Sequence, residues 1–160
     1  MDYHKAFIID FARRTKANLE RIETLASDGD EVCKVYEVTQ LANSLLGLLV
    51  FPREHYIDNI PPTPLSELAA QGWPEISPTF GELPHDNLKE FMRVLRNSIA
   101  HCNVEFRADS ENQIDGLRIW NTKRGKKTWE AHLSLKELRL IAFKFVELIE
   151  QEQSPWDADE

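Results

Sequence analysis

Seven of the chain's eight prolines fall between Pro52 and Pro84, so continuous helix is confined to the segments on either side. Ahead of that block, Phe7, Phe11, Asn18 or Leu19, Ile22 and Leu25 recur at helical spacing and predict an amphipathic helix from Tyr3 to about Ala26. Ser27-Asp28-Gly29-Asp30 breaks it, and a second helix is expected from about Glu31 to Val50, stopped by Phe51-Pro52. In this second helix Val35, Val38, Leu41, Ala42, Leu45, Leu46, Leu48, Leu49 and Val50 cover more than one face. Such a helix must be buried on more than one side, by the Pro-rich segment or by a second copy of the chain.

Inside the proline block only Leu65 to Gln71 reads as helix, with Pro64 acceptable at its start. Gly72-Trp73-Pro74 and Pro78-Thr79-Phe80-Gly81 read as turns, and Ile57, Trp73, Phe80 and Leu83 make the segment an ordered cover over the helices. A third helix is expected from Asp86 as N-cap through Cys102, its inward stripe formed by Leu88, Phe91, Leu95, Ile99 and Cys102. Beyond Asn103 the pattern alternates. Val104 to Arg107, Ile114 to Trp120 and Thr128 to Leu133 read as short strands, with turns at Asp109 to Asn112 and Lys123 to Lys127. A last helix begins at the capping box Ser134-Leu135-Lys136-Glu137, with Leu133 and Leu138 as a staple.

A chain of 160 residues with 42% hydrophobic and 29% charged side chains is read as one domain over 1–152, with an acidic, flexible tail at 153–160. Two cysteines, Cys33 and Cys102, and the five histidines share no ligand spacing, so no metal site and no cofactor are read. The absence of a basic leader or a long apolar run predicts a cytoplasmic protein with no membrane partner. A net charge of −8 excludes broad electrostatic coating by nucleic acid, so any contact with a polyanion must be local. Lys123, Arg124, Lys126 and Lys127 around Gly125 form one such basic patch, or simply a solvated hairpin turn.

The chemistry sits at the end of the third helix, in Arg96-Asn97-Ser98-Ile99-Ala100-His101. A guanidinium offers a permanent charge and a donor fork for phosphate oxygens, and an imidazole can take and return a proton near neutral pH. On a helix Asn97 and His101 are stacked neighbours, and Arg93 and Arg96 lie together one turn earlier, on the face opposite the core. A purely structural reading is also open, with a cationic His101 complementing the helix dipole and Arg96 pairing with Glu37, Glu90 or a loop carboxylate. Cys102 is expected to be a core thiol rather than a nucleophile.

This segment resembles the signature of the HEPN superfamily: arginine, a polar residue, any three residues, histidine. Phe11 to Thr15, Tyr36 to Leu41, Leu49 to Pro52 and Gly72-Trp73-Pro74 are similar to a prokaryotic HEPN subfamily known from plasmids. The resemblance implies a mainly α fold. It would be a HEPN-like bundle of four longer helices, with a short helix in the Pro-rich insert and a small β-hairpin or three-strand insert before the last helix. It further implies a homodimeric, metal-independent endoribonuclease in which Arg96, Asn97 and His101 are catalytic, Arg93 adds phosphate affinity, and RNA is the partner. A toxin or defence role, with an antitoxin or regulatory protein as a further partner, belongs to the same expectation. The alternative is a non-catalytic HEPN module binding RNA, a nucleotide or a partner protein.

Overall fold

A computed structural model of the protein describes residues 3–27, 37–50 and 57–151. The expected start of the second helix at Glu31, its stop at Phe51-Pro52 and the tail at 153–160 lie outside the described residues. The fold is mainly α, with an antiparallel sheet inserted before the last helix. In chain order the elements are α1 (Tyr3–Ser27), α2 (Glu37–Val50), α3 (Leu65–Leu68), β1 (Pro78–Gly81), α4 (Leu88–Ala100), β2 (Val104–Ala108), β3 (Ile114–Lys123), β4 (Lys126–Ser134) and α5 (Leu135–Gln151). A 3-10 turn, Ala69–Gln71, extends α3, so the helical stretch expected among the prolines is present, but it is not alone: residues 57–59 are helical too.

Helices α4 and α5 pack against one face of the sheet, and α1 and α2 pack on helices. Here α1 packs on α2 and α5, α2 reaches both α4 and α5, and α4 lies on β3. On the inner sheet face Leu117, Ile119, Trp129, Ala131 and Leu133 are buried, and the Trp129 ring meets Phe91 of α4 edge-on at 6.2 Å between centroids. Gly47 lets α1 and α2 approach closely, because a Cβ there would come within 2.8 Å of the Phe11 ring.

Three expectations need correction. The inward stripe of α1 runs through Ile9, Ala12, Thr15 and Leu19, and Phe7 is 48% exposed. On α2, Leu41, Leu45, Leu48 and Leu49 are buried, whereas Leu46 and Val50 stay exposed, so the fold of a single chain does not use all of this helix's apolar surface. Lastly, the sheet has four strands in the order β1-β4-β3-β2, not two or three. The additional strand comes from the proline block, where Pro78-Thr79-Phe80-Gly81 had read as a turn. Proline is compatible with β1 because it starts an edge strand. Gly81, at φ +67°, lies so close to β4 that a Cβ would fall 2.1 Å from the Thr128 carbonyl oxygen. Ile57 and Trp73 are buried as the cover requires, but Phe80 is 52% exposed.

The capping box forms as the sequence indicates. Glu137 N donates to Ser134 Oγ at 3.2 Å, and Ser134 N donates to Glu137 Oε2 at 2.7 Å. Each satisfies a main-chain donor that the first turn of α5 would otherwise leave open. Ser134→Ala should therefore lower stability by about 1 kcal/mol in urea unfolding.

Candidate functional site

Helix α4 begins one residue later than its acidic flank suggests. Asn87, not Asp86, is the N-cap, and its Oδ1 accepts from Glu90 N at 2.9 Å. The Asp86 carbonyl instead accepts from Leu65 N at 3.3 Å and Leu88 N donates to Thr63 O at 2.8 Å, tying the start of the helix to the proline block.

The other end carries the candidate chemistry. His101 is the C-cap, Cys102 adopts φ +56°, and two bonds close the helix: Cys102 N to Ile99 O at 3.0 Å and Asn103 N to Ser98 O at 2.8 Å. These are the paired bonds of a Schellman motif, with cysteine where glycine is usual. The helix thus ends at Ala100, and Cys102 is exposed instead of lying in the core as expected. Its apolar spacing matched the stripe, but a residue in the left-handed region leaves the helical register, so the stripe stops at Ile99. Asn103 O then accepts from Trp120 N at 3.1 Å, which anchors the end of the helix to β3.

Around this closure Arg96 and Asn97 are half-buried and His101 is exposed. Arg96 Nη1 donates to Asn97 Oδ1 at 3.1 Å, while its Nε is buried without a hydrogen-bond partner. Glu90, one proposed structural partner of Arg96, is taken by Arg93 through a 2.5 Å contact, and the Glu37 side chain lies outside the described residues. Among the described residues the Arg96 charge has no carboxylate partner. The structure therefore brings Arg96 and Asn97 together, sets His101 at the same helix end, and commits Arg93 to a buried carboxylate.

The basic patch divides in a similar way. Arg124 and Gly125, both at positive φ, form a two-residue turn that sets Lys123 opposite Lys126. These residues are exposed, but Lys127 pairs with Glu130, which also receives Arg118 Nη2 at 3.0 Å. Hydrogen bonds from Arg118 and Lys127 hold the Glu130 carboxyl at about 2, well below its ordinary 4.5. Measured along β3, Lys123 lies three residues beyond Trp120, roughly 10 Å of strand, at the sheet end where α4 closes.

Asn103 was not legible as a site residue, because both of its anchoring bonds are main-chain. The outer-face residues Glu105, Arg107, Arg118, Trp120, Glu130 and His132 did carry a signal, since they alternate along their strands. Among the described residues no three His, Cys, Asp or Glu side chains are grouped as a metal ion requires, and no helix is long and apolar enough to cross a membrane.

The mainly α fold is the one that the resemblance to the HEPN superfamily implied, and comparison with known families gives the same class. The family model described as HEPN pEK499 p136 matches residues 1–156, and the chain belongs to that plasmid-type HEPN family. No curated protein and no solved structure matches the chain.

Two outcomes are expected from this geometry. Cys102→Gly should raise stability by about 1 kcal/mol, since glycine takes the left-handed conformation without the Cβ clash; thermal melting checks it. Glu130→Gln should cost about 1 kcal/mol at pH 7, solvent screening keeping the value small. Because folding lowers the Glu130 pKa, its contribution is present above pH 4.5 and fades as pH falls toward 2. Urea unfolding at pH 7 and pH 3 should show the gap between wild type and variant narrowing at the lower pH.

Proposed function

We propose that the protein is a metal-independent endoribonuclease that acts as a homodimer. The observation that carries this reading is an arginine with no carboxylate partner among the described residues, held by Asn97 and set at the same helix end as an exposed His101. RNA supplies its own nucleophile. When a base removes the 2′-hydroxyl proton, O2′ bonds to phosphorus, the bond from phosphorus to O5′ breaks, and an acid protonates the departing oxygen. The products are a 2′,3′-cyclic phosphate and a 5′-hydroxyl. His101 supplies the proton transfers, Arg96 stabilises charge on the phosphorane, and Asn97 orients the guanidinium.

One imidazole per chain becomes two when a second copy faces it, which gives separate acid and base. Exposed Phe7, Leu46 and Val50 offer apolar surface that a partner copy would cover. A potent RNA-cutting activity suits a toxin or defence effector held in check by an antitoxin or regulatory protein.

Mixed cellular RNA incubated in excess EDTA should be cut by wild type. His101→Ala and Arg96→Ala should each slow cutting by roughly a hundredfold or more. The new 3′ ends should be 2′,3′-cyclic phosphates. Equal cleavage by a folded His101→Ala variant would falsify the assignment. A protein that binds RNA but never cuts it would instead be a non-catalytic HEPN module.

A further inference from the structure

The sheet's outer face, on the side away from the helices, has a composition at odds with the acidic chain. At the outward positions of β2, β3 and β4 stand Arg107, Arg118 and Lys127 against Glu105 and Glu130, and the hairpin tip at the end of the sheet adds Lys123, Arg124 and Lys126. Both carboxylates are engaged by Arg118, and Glu130 also by Lys127. Arg107 Nη1 lies 3.2 Å from His132 Nδ1, with no carboxylate partner among the described residues. At the tip, Lys123 and Lys126 are direct cross-strand partners, an arrangement that costs stability unless an anion lies between them.

Aromatic rings interrupt this charge. Phe80 and Trp120 both register opposite Glu130 from its two sides, so they share one row across the sheet, two strand spacings or about 10 Å apart. Phe80 is exposed and Trp120 half-buried. A cation lies over each ring, leaving the ring's other face for a base: Lys127 Nζ is 6.0 Å from the Phe80 ring centre, and Arg118 Cζ is 5.5 Å from that of Trp120. Spaced rings and guanidinium planes on an open sheet, with cations between them, suit splayed bases and their phosphates; a duplex, whose bases are already stacked, gains nothing from the rings. The same row ends at Asn103, whose carbonyl accepts from Trp120 N, two residues beyond His101.

We infer that the outer face of the sheet is a platform for single-stranded RNA, with bases stacking at Phe80 and Trp120 and phosphates tracking Arg107, Arg118 and the Lys123 to Lys126 tip. The platform delivers the strand toward the end of α4. Only this delivery, and not the binding, rests on the ribonuclease reading.

The test uses full-length protein carrying His101→Ala, so that RNA survives, with fluorescence anisotropy of a labelled oligouridine of about 20 nucleotides and of an RNA duplex of the same length. The single strand should bind more tightly than the duplex. Phe80→Leu and Trp120→Leu should each weaken single-strand binding about tenfold, and Trp120→Phe, which keeps a ring, should restore most of it. Lys123→Gln combined with Lys126→Gln should flatten the salt dependence by about 1.4 in log-log slope. Circular dichroism and melting confirm that each variant is folded.

Single-strand binding unchanged by both leucine variants overturns the platform, as does equal weakening of single strand and duplex. Cleavage by the protein with His101 intact is scored separately. A cutting enzyme whose leucine variants bind oligouridine normally loses the platform and keeps the nuclease. A protein that never cuts but loses binding in those variants does the reverse.

Discussion

The main-chain closure at the end of α4 is the constraint on which the rest of the structure depends. Two hydrogen bonds turn the chain at Cys102, and a third joins Asn103 to Trp120. Because all three use peptide groups, they hold the helix end against the sheet whatever side chains surround it. The arginine and amide sit a turn or so before the closure and the imidazole sits on it. Their relative placement is therefore set by backbone geometry rather than by long, flexible side chains finding each other. The closure tolerates an unfavourable left-handed cysteine to achieve this.

Charge is distributed with similar economy. Glu90 occupies Arg93, and Glu130 occupies Arg118 and Lys127, while several other cations among the described residues keep their positive charge without a carboxylate partner, in a chain of net charge −8. Arg96 is one of them, and the hairpin tip holds others. An acidic surface elsewhere repels a polyanion, which raises the discrimination between these places and the rest of the molecule.

Much of this was legible in the sequence because it depends on local rules. The capping box at Ser134, the helix through Leu65 to Gln71 and the alternating strands after Asn103 each rest on a few neighbouring residues, and each is present. What failed depends on distant partners. Phe7 has helical spacing, but which stripe of α1 turns inward is decided by α2 and α5. Pro78 to Gly81 has the composition of a turn, and becomes a strand only because β4 offers an edge. Cys102 fits the apolar period, yet the period cannot reveal that the helix has already ended. The motif itself was readable, whereas the engagement of Glu90 by Arg93 rather than by Arg96 was not.

The pairing of β1 with β4 has a consequence for the order in which the protein assembles. Strands β2, β3 and β4 form a meander joined by short turns, so they can register early and cheaply in chain entropy. Thr79 meets Glu130 across 51 residues, and α4, β2, β3 and the start of β4 lie inside that loop. Its closure gains few contacts until the edge of β4 exists. Strand β1 should therefore be the last to zip on and the first to detach under load. The exposed ring of Phe80 is thus carried by the most provisional strand of the sheet.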